Sequence, residues 1–577
     1  MRNPIILILL WFYSIEFIPT LAQEKIALLY PKNTIANSEP SSEMQLDNYY
    51  NWELFLIQNK FKFEVIEDEQ IQNELSNEYS LIILPSAICL SDDAIISLKE
   101  FLDDGNSVLA TMGTGYKNIS GETIGWQTFE ELFGVKFISR APKQAASKIH
   151  TLFGNLPLSK NIPAGFRLQV ITDDNPIEVK INSESSFPVG YWQNSEIPFE
   201  GRDNSELTTS IVYGNRGKGN FVWLGFEASS VIGTKTHQAV MNQFLVNSIN
   251  WLTDELVVQV DTWPNGKQSA AVISCDVEFQ FANINYMLDM LEEENLLGNF
   301  YILTESIEST SLKRLAKFGD IGLHGDDHNS FRYQDYDKQF KRFYRGSAEL
   351  EKQIGIKPNA FRPPETYYDH VTLDALSAMK INILSSDFIE DRAVPQFLDD
   401  YPNILIIPKT GFDDYDVFQR LKLTSVHDQA ERYIADFLRT HEEGGLYSLN
   451  IHTQMQCLPN YVEALRKPIL AFKSKDVWIT THSRTYEWWT KIKKLKLDQT
   501  KIENNRYLIE IYNTASESLE NIVVSIYKKD FSDFFSSQIR LDGKITDYNS
   551  NTKLNKVSIP IPSLGPNEKK KITVEFD

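Results

Sequence analysis

Two carboxylates, Asp276 and Glu278, follow the apolar run Ala270–Ile273, which has the composition of a buried strand and places both acids at its C-terminal end. In an extended chain, residues two apart share a face, so both acids can point into one pocket while Val277 points away. Downstream, Ile321-Gly322-Leu323-His324 ends a second strand and leads into Gly325-Asp326-Asp327-His328. A four-residue spacing on a helix would put both histidines on one face. Here Gly325 breaks the strand, and His328 returns on the loop. Two imidazoles and one carboxylate make a three-ligand metal site with a coordination position left for water. A metal in such a site polarises a carbonyl and acidifies its bound water. A second carboxylate, off the metal, can take that water's proton. Asp276 and Glu278 can divide these two roles, and spacing alone does not assign them.

Two more strand ends carry candidates. Ala360-Phe361-Arg362-Pro363-Pro364 sets an arginine at one of them. Ser448-Leu-Asn-Ile-His452-Thr-Gln454 ends an apolar strand in a third histidine, placed to donate a proton to a leaving amine. The order Asp-x-Glu, His-x-x-x-His, Arg-Pro-Pro, Ser-Ser-Asp and Ile-His resembles the five ordered motifs of the polysaccharide deacetylases, carbohydrate esterase family four, from Ser269 to Trp489.

The resemblance implies the following roles. Asp276 is the base, and Glu278 is the metal-ligating carboxylate, in the divergent arrangement where one residue separates the acids. His324 and His328 are the other ligands. Arg362 orients the base, and His452 is the general acid. The implied cofactor is a divalent ion, zinc above others. The implied activity is hydrolysis of N-acetyl groups on a glycan amino sugar, a carbon–nitrogen bond other than a peptide, with a polysaccharide as partner. The same residues would serve an O-acetyl esterase, and a catalytically silent glycan-binding protein is the competing class. The chain departs from the family at Glu365, where an aromatic residue is common, and at Phe388, where tryptophan often stands. The aspartate that tunes His452 is expected at Asp387 or Asp391.

The elements that must position these residues alternate. From residue 262 to 495, eight strand candidates are interleaved with helices, the pattern of a (β/α) barrel with its chemistry at the strand C-termini. Residues 23–258 also alternate, with strands expected at Lys25–Tyr30, Phe63–Ile66, Leu81–Leu84 and Ser107–Thr111, which predicts a doubly wound α/β sheet. This stretch resembles the glutamine-amidotransferase-like fold. Thr114 stands where that family has its cysteine, so the resemblance implies a non-catalytic domain. Thr253–Asn265 has the turn residues of a connector. Residues 500–577 change to period two, the pattern of a small β-sandwich.

The whole chain is an α/β multidomain protein with a net charge of −21, which excludes nucleic acid as an expected partner, since phosphate binding needs clustered lysine and arginine. Three widely spaced cysteines cannot form a disulfide framework. Residues 1–22 have the pattern of a signal peptide: Arg2, an apolar run, then Thr20-Leu21-Ala22. The expectation is therefore an exported protein, periplasmic, cell-surface or secreted, with no membrane span after cleavage. Nothing in the sequence sets an oligomeric state.

Overall fold

The computed structural model describes residues 25–576 except 39–41, 73–74, 76–77, 141–146, 194–207, 387–390, 504 and 530–537. The expected signal peptide, Asp387 and Phe388 lie outside the described residues. Among the described residues no helix is long and apolar enough to cross a membrane.

The site-bearing sheet is built on the strand Ser269–Val277, buried along its whole length. Moving along the ladder, Ser269–Val277 is followed by Gly298–Leu303, Gly319–Gly325, Ala360–Phe361, Ile383–Ser386 and Leu405–Pro408, all parallel. Leu446–His452 pairs with the other edge of Ser269–Val277, and Val477–Thr480 pairs with its first half. The near-continuous apolar character of these strands follows from burial on both faces. The expected strands lie within two residues of the observed ones. Among the described residues, however, the barrel is not closed by a ladder: no strand pairing joins Leu405–Pro408 to Leu446–His452. Thr410 spans this seam, its hydroxyl donating to Leu446 O at 2.6 Å and accepting from Ser448 N at 3.1 Å. The result is a curled, open sheet with helices outside.

Local chemistry sets the helix ends. Asp335 caps Tyr336–Ile354 by accepting from Lys338 N, and Gly355 closes it in the left-handed conformation. Ser91 caps Asp92–Asp103 by accepting from Ala94 N.

In the first unit, the strands 63–67, 26–30, 81–84, 107–111 and 219–224 form a parallel ladder in that order, extended by antiparallel strands 211–216 and 186–188. A second sheet, four-stranded and antiparallel, includes 147–152 and 167–171 and was not foreseen from the sequence pattern. Thr114 is buried, and its hydroxyl donates to Thr111 O at 3.2 Å, within its own turn.

The expected connector is partly strand: Val257–Val260 pairs antiparallel with Leu519–Tyr527. Four strands built on that pair face a second antiparallel sheet containing Leu495–Glu503, Arg506–Asn513 and Lys569–Glu575, around a core that includes Ile509, Val524, Ile559 and Ile572. Four residues, Val-Val-Gln-Val, are too few to show a period of two, which is why Val257–Val260 reads as linker in isolation.

Gly322 shows how tightly the interior is built. A Cβ there would stand 2.6 Å from the Tyr301 ring. The Tyr301 hydroxyl bonds His482 Nδ1 at 2.6 Å, and the Arg362 guanidinium lies 4.2 Å above the ring centroid. Gly322→Ala is therefore expected to destabilise the fold by about 1–3 kcal/mol, the usual cost of overpacking. Chemical denaturation of the variant against the parent measures it.

Candidate active site

Register brings the chemistry together. In the ladder between Ser269–Val277 and Leu446–His452, Ser274 pairs with Asn450 and Asp276 with His452. Alternation then turns these four side chains to the interior of the curl, while Cys275 and Ile451 face the outer apolar core. Glu278 lies just past its strand. Its N–H donates to the Thr453 hydroxyl at 3.1 Å, which in turn donates to Phe279 O at 2.8 Å, so the turn after the strand is tied to the loop after His452.

His324 ends its strand, and Gly325 adopts a φ of 124°, a region open to glycine, so the chain reverses and returns His328. The loop between them is pinned by buried Arg342, which donates to Asp326 Oδ1 at 2.7 Å and to Asp327 O at 3.0 Å. Both histidines aim Nε2 at one oxygen, Glu278 Oε1, at 2.8 Å from His324 and 3.0 Å from His328. The other Glu278 oxygen accepts from Gln454 Nε2 at 2.6 Å. Burial works against a charged Glu278, yet its bonds to the two histidines outweigh burial and hold its carboxyl far below the ordinary range. The bond to Glu278 raises His328 against a smaller effect of burial.

This donor set fits a divalent metal. Glu278, His324 and His328 each offer a ligand atom, all within 4.8 Å of one another. His324 Nδ1 lies 2.9 Å from Arg362 O, which accepts the ring proton on that side and leaves Nε2 as the ring atom that would meet a cation. Asp276, Glu278 and His452 form a second such group, but Asp276 is held by Arg362 and His452 by Asp414.

Asp276 is buried and accepts from Arg362 Nη1 at 2.7 Å. Arg362 also donates to Ser274 Oγ at 3.0 Å, Ser385 Oγ at 2.8 Å and Asn450 Oδ1. The second Asp276 oxygen lies 3.6 Å from His452 Nε2. His452 Nδ1 bonds Asp414 Oδ1 at 2.5 Å, and Asp414 Oδ2 accepts from the His452 and Gln456 N–H groups at 2.7 and 3.0 Å. Burial opposes a charge on His452, but Asp414 outweighs it and lifts the imidazole well above its usual range. Burial raises Asp414 itself.

The structure thus brings Asp276, Glu278, His324, His328, Arg362 and His452 to one end of one sheet. Of the two aspartates expected beside His452, Asp387 lies outside the described residues and Asp391 turns away to Arg392 at 2.7 Å; the carboxylate that bonds His452 is that of Asp414. The signal for Asp414 was present: Asp413-Asp414 follows the strand Leu405–Pro408 by a few residues, as Glu278 follows its own strand. Asn450 and Ser274 carry no sequence signal, because a lone polar residue in an apolar strand has no distinguishing pattern.

Residues 266–384 match the family model for polysaccharide deacetylase, a span that holds Asp276, Glu278, both histidines and Arg362 but ends before Asp414 and His452. No curated protein matches the chain. Among solved structures, a Mycobacterium smegmatis protein classed with the polysaccharide deacetylases is 21% identical over 40% of this chain and 92% of that one, with a TM-score of 0.36. Agd3, described as a novel carbohydrate deacetylase, is 10% identical over 96% of this chain and 99% of that one, with a TM-score of 0.39. A family 4 acetyl xylan esterase from Clostridium thermocellum, in complex with a cobalt ion, is 15% identical over 38% and 91%, with a TM-score of 0.28.

Two outcomes follow from the geometry. His324→Ala removes one of three ligands, and bound metal measured by elemental analysis is expected to fall from about one equivalent to a small fraction. Asp414→Asn removes the charge that lifts His452. A group with a raised pKa keeps its proton below that pKa and loses it as pH rises through it, so the alkaline limb of any activity needing protonated His452 is expected to move to lower pH in the variant. A pH–rate profile reads the shift.

Proposed function

We propose that this chain is an exported, metal-dependent polysaccharide deacetylase that hydrolyses N-acetyl groups on a glycan amino sugar. The polysaccharide deacetylase domain at 266–384 supports a hydrolase acting on acetyl groups of carbohydrates. The observation that carries the finer reading is the pairing of a base and an acid around one candidate ligand set. Asp276 held by Arg362 and His452 held by Asp414 face each other across 3.6 Å, next to Glu278.

Glu278, His324 and His328 would hold the divalent ion, zinc by donor type, which when bound supplies an acidified water and polarises the amide carbonyl. Asp276 takes the water's proton as attack begins. Its ion pair to Arg362 keeps the carboxylate oriented, and Asn450 Nδ2 borders the second oxygen at 3.5 Å. The Glu365 N–H follows two prolines that have no N–H, sits at a left-handed φ of 56° and has no intrachain acceptor among the described residues. It is the backbone donor for the developing oxyanion. Protonated His452 then delivers its Nε2 proton to the departing amine, and Asp414 stabilises the imidazolium beforehand. The first unit is assigned as an amidotransferase-like domain without catalysis, supported by the buried, self-bonded hydroxyl of Thr114.

Acetate release from a panel of N-acetylated oligosaccharides tests the reading, with O-acetylated sugars run in parallel. The metal-loaded protein is expected to release acetate from the N-acetylated set and to lose that activity with a chelator. Asp276→Asn and His452→Ala are each expected to lower the rate by about 10²–10⁴-fold, the scale of general acid–base catalysis. Release from O-acetyl substrates alone would make the chain an esterase. Binding without release would make it a silent glycan-binding protein.

A further inference from the structure

Two of the three cysteines meet behind the site. Cys275 stands between Ser274, which accepts from Arg362, and Asp276. Its side chain turns away from both, into the apolar core outside the sheet, where Cys457 also lies. The two sulfurs are 3.9 Å apart, although 182 positions separate them in the chain. Both residues are fully buried. Cys89, the third, is buried in the first unit. A buried thiol by itself packs as a small apolar group. A pair at contact has a further chemistry: each sulfur is the other's nearest partner for a disulfide, and an oxidising compartment converts thiols so placed.

The elements that carry the two sulfurs give the contact its consequence. Cys275 belongs to the strand Ser269–Val277, which bears Asp276. Cys457 closes the loop after His452. Its N–H and that of Met455 donate to His452 O at 3.3 and 3.2 Å, and the Gln456 N–H donates to Asp414 Oδ2 at 3.0 Å. The Thr453 N–H, from the same loop, donates to Asp276 O at 3.2 Å. A covalent bond between the sulfurs would join the strand of the base to the loop of the acid where hydrogen bonds already hold them side by side.

We propose that Cys275 and Cys457 form a disulfide when the chain folds in an oxidising compartment, and that this bond braces the strand bearing Asp276 against the loop behind His452. The compartment is the one that the export reading supplies. The oxidant is itself a disulfide, of a small molecule or of a thiol–disulfide oxidoreductase. One cysteine thiolate attacks it, and the second displaces the oxidant's remaining sulfur. The Cys275–Cys457 bond forms, and the two thiol protons and two electrons end on the oxidant, whose own S–S bond is cleaved to two thiols. Burial raises the Cys275 thiol and disfavours its thiolate, so the exchange belongs to folding or to opening of the core, and the finished bond is shielded from reductants. A link across 182 positions restricts the unfolded chain strongly, and that restriction is the source of its stabilising effect.

The test equilibrates the purified full-length protein with excess oxidised glutathione or with dithiothreitol, a few degrees below its unfolding midpoint so that the core opens. Remaining thiols are alkylated in denaturant, and the peptides are mapped by mass spectrometry. All three cysteines are expected to be alkylated in the reduced protein. In the oxidised protein only Cys89 is expected to be alkylated, and a peptide joining Cys275 to Cys457 is expected to appear. The oxidised protein is expected to melt about 5–10 °C above the reduced one. Cys89→Ala is expected to keep that difference, and Cys275→Ala and Cys457→Ala are each expected to lose it. No Cys275–Cys457 peptide after oxidation, a link through Cys89, or equal melting with the link in place overturns the proposal. The oxidant is supplied, so these outcomes do not depend on whether the chain is exported.

Discussion

The buried ion pair between Arg362 and Asp276 is the constraint on which the site depends. Both side chains are almost fully removed from water. A buried charge survives only if its partner and its hydrogen bonds repay the lost hydration. Each Arg362 guanidinium nitrogen has an acceptor, from Asp276, Asn450, Ser274 or Ser385, and the Tyr301 ring lies beneath. Removing one partner of such a pair costs about 3–5 kcal/mol, because the other charge is left uncompensated. Three strands, Ser269–Val277, Ile383–Ser386 and Leu446–His452, supply acceptors to this one cation, so its donors tie their relative positions.

That convergence also separates the two acids. Asp276 is committed to Arg362 and stands off the ligand set. Glu278, two residues later and past the strand end, is aimed at His324 and His328. Similar carboxylates thereby acquire opposite surroundings, one beside a guanidinium and one between imidazoles. His452 completes the arrangement from the next strand, with Asp414 behind it.

The other end of the sheet is occupied by the flanking units. Gly154 N donates to Glu443 O at 2.9 Å, and Trp263 Nε1 donates to Gly444 O at 2.8 Å, both just before the strand Leu446–His452 begins. The Tyr191 hydroxyl reaches Glu443 Oε1 at 2.5 Å, and the Arg439 guanidinium lies 4.4 Å from the Tyr191 ring. The first unit thus packs against the N-terminal end of the strand Leu446–His452, opposite the end that carries His452.

Much of this was legible in the sequence, because strand and ligand signals are local. The apolar run before Asp276, the glycine between His324 and His328, and the strand that ends in His452 each announce themselves within a few residues. Their depth in one pocket follows from a period of two and from the placement of chemistry at strand ends. Partnership is not local. Whether Asp387, Asp391 or Asp414 meets His452 depends on how the loop after Pro408 folds back, and no spacing encodes that. The open seam at Thr410 and the capture of Val257–Val260 by the C-terminal sheet are likewise choices among distant partners. The sequence by itself determined which residue types stand at which strand ends. Only the tertiary structure decided which charges meet, because a buried charge is satisfied by whichever partner packing brings within hydrogen-bonding distance, however far away in the chain it lies.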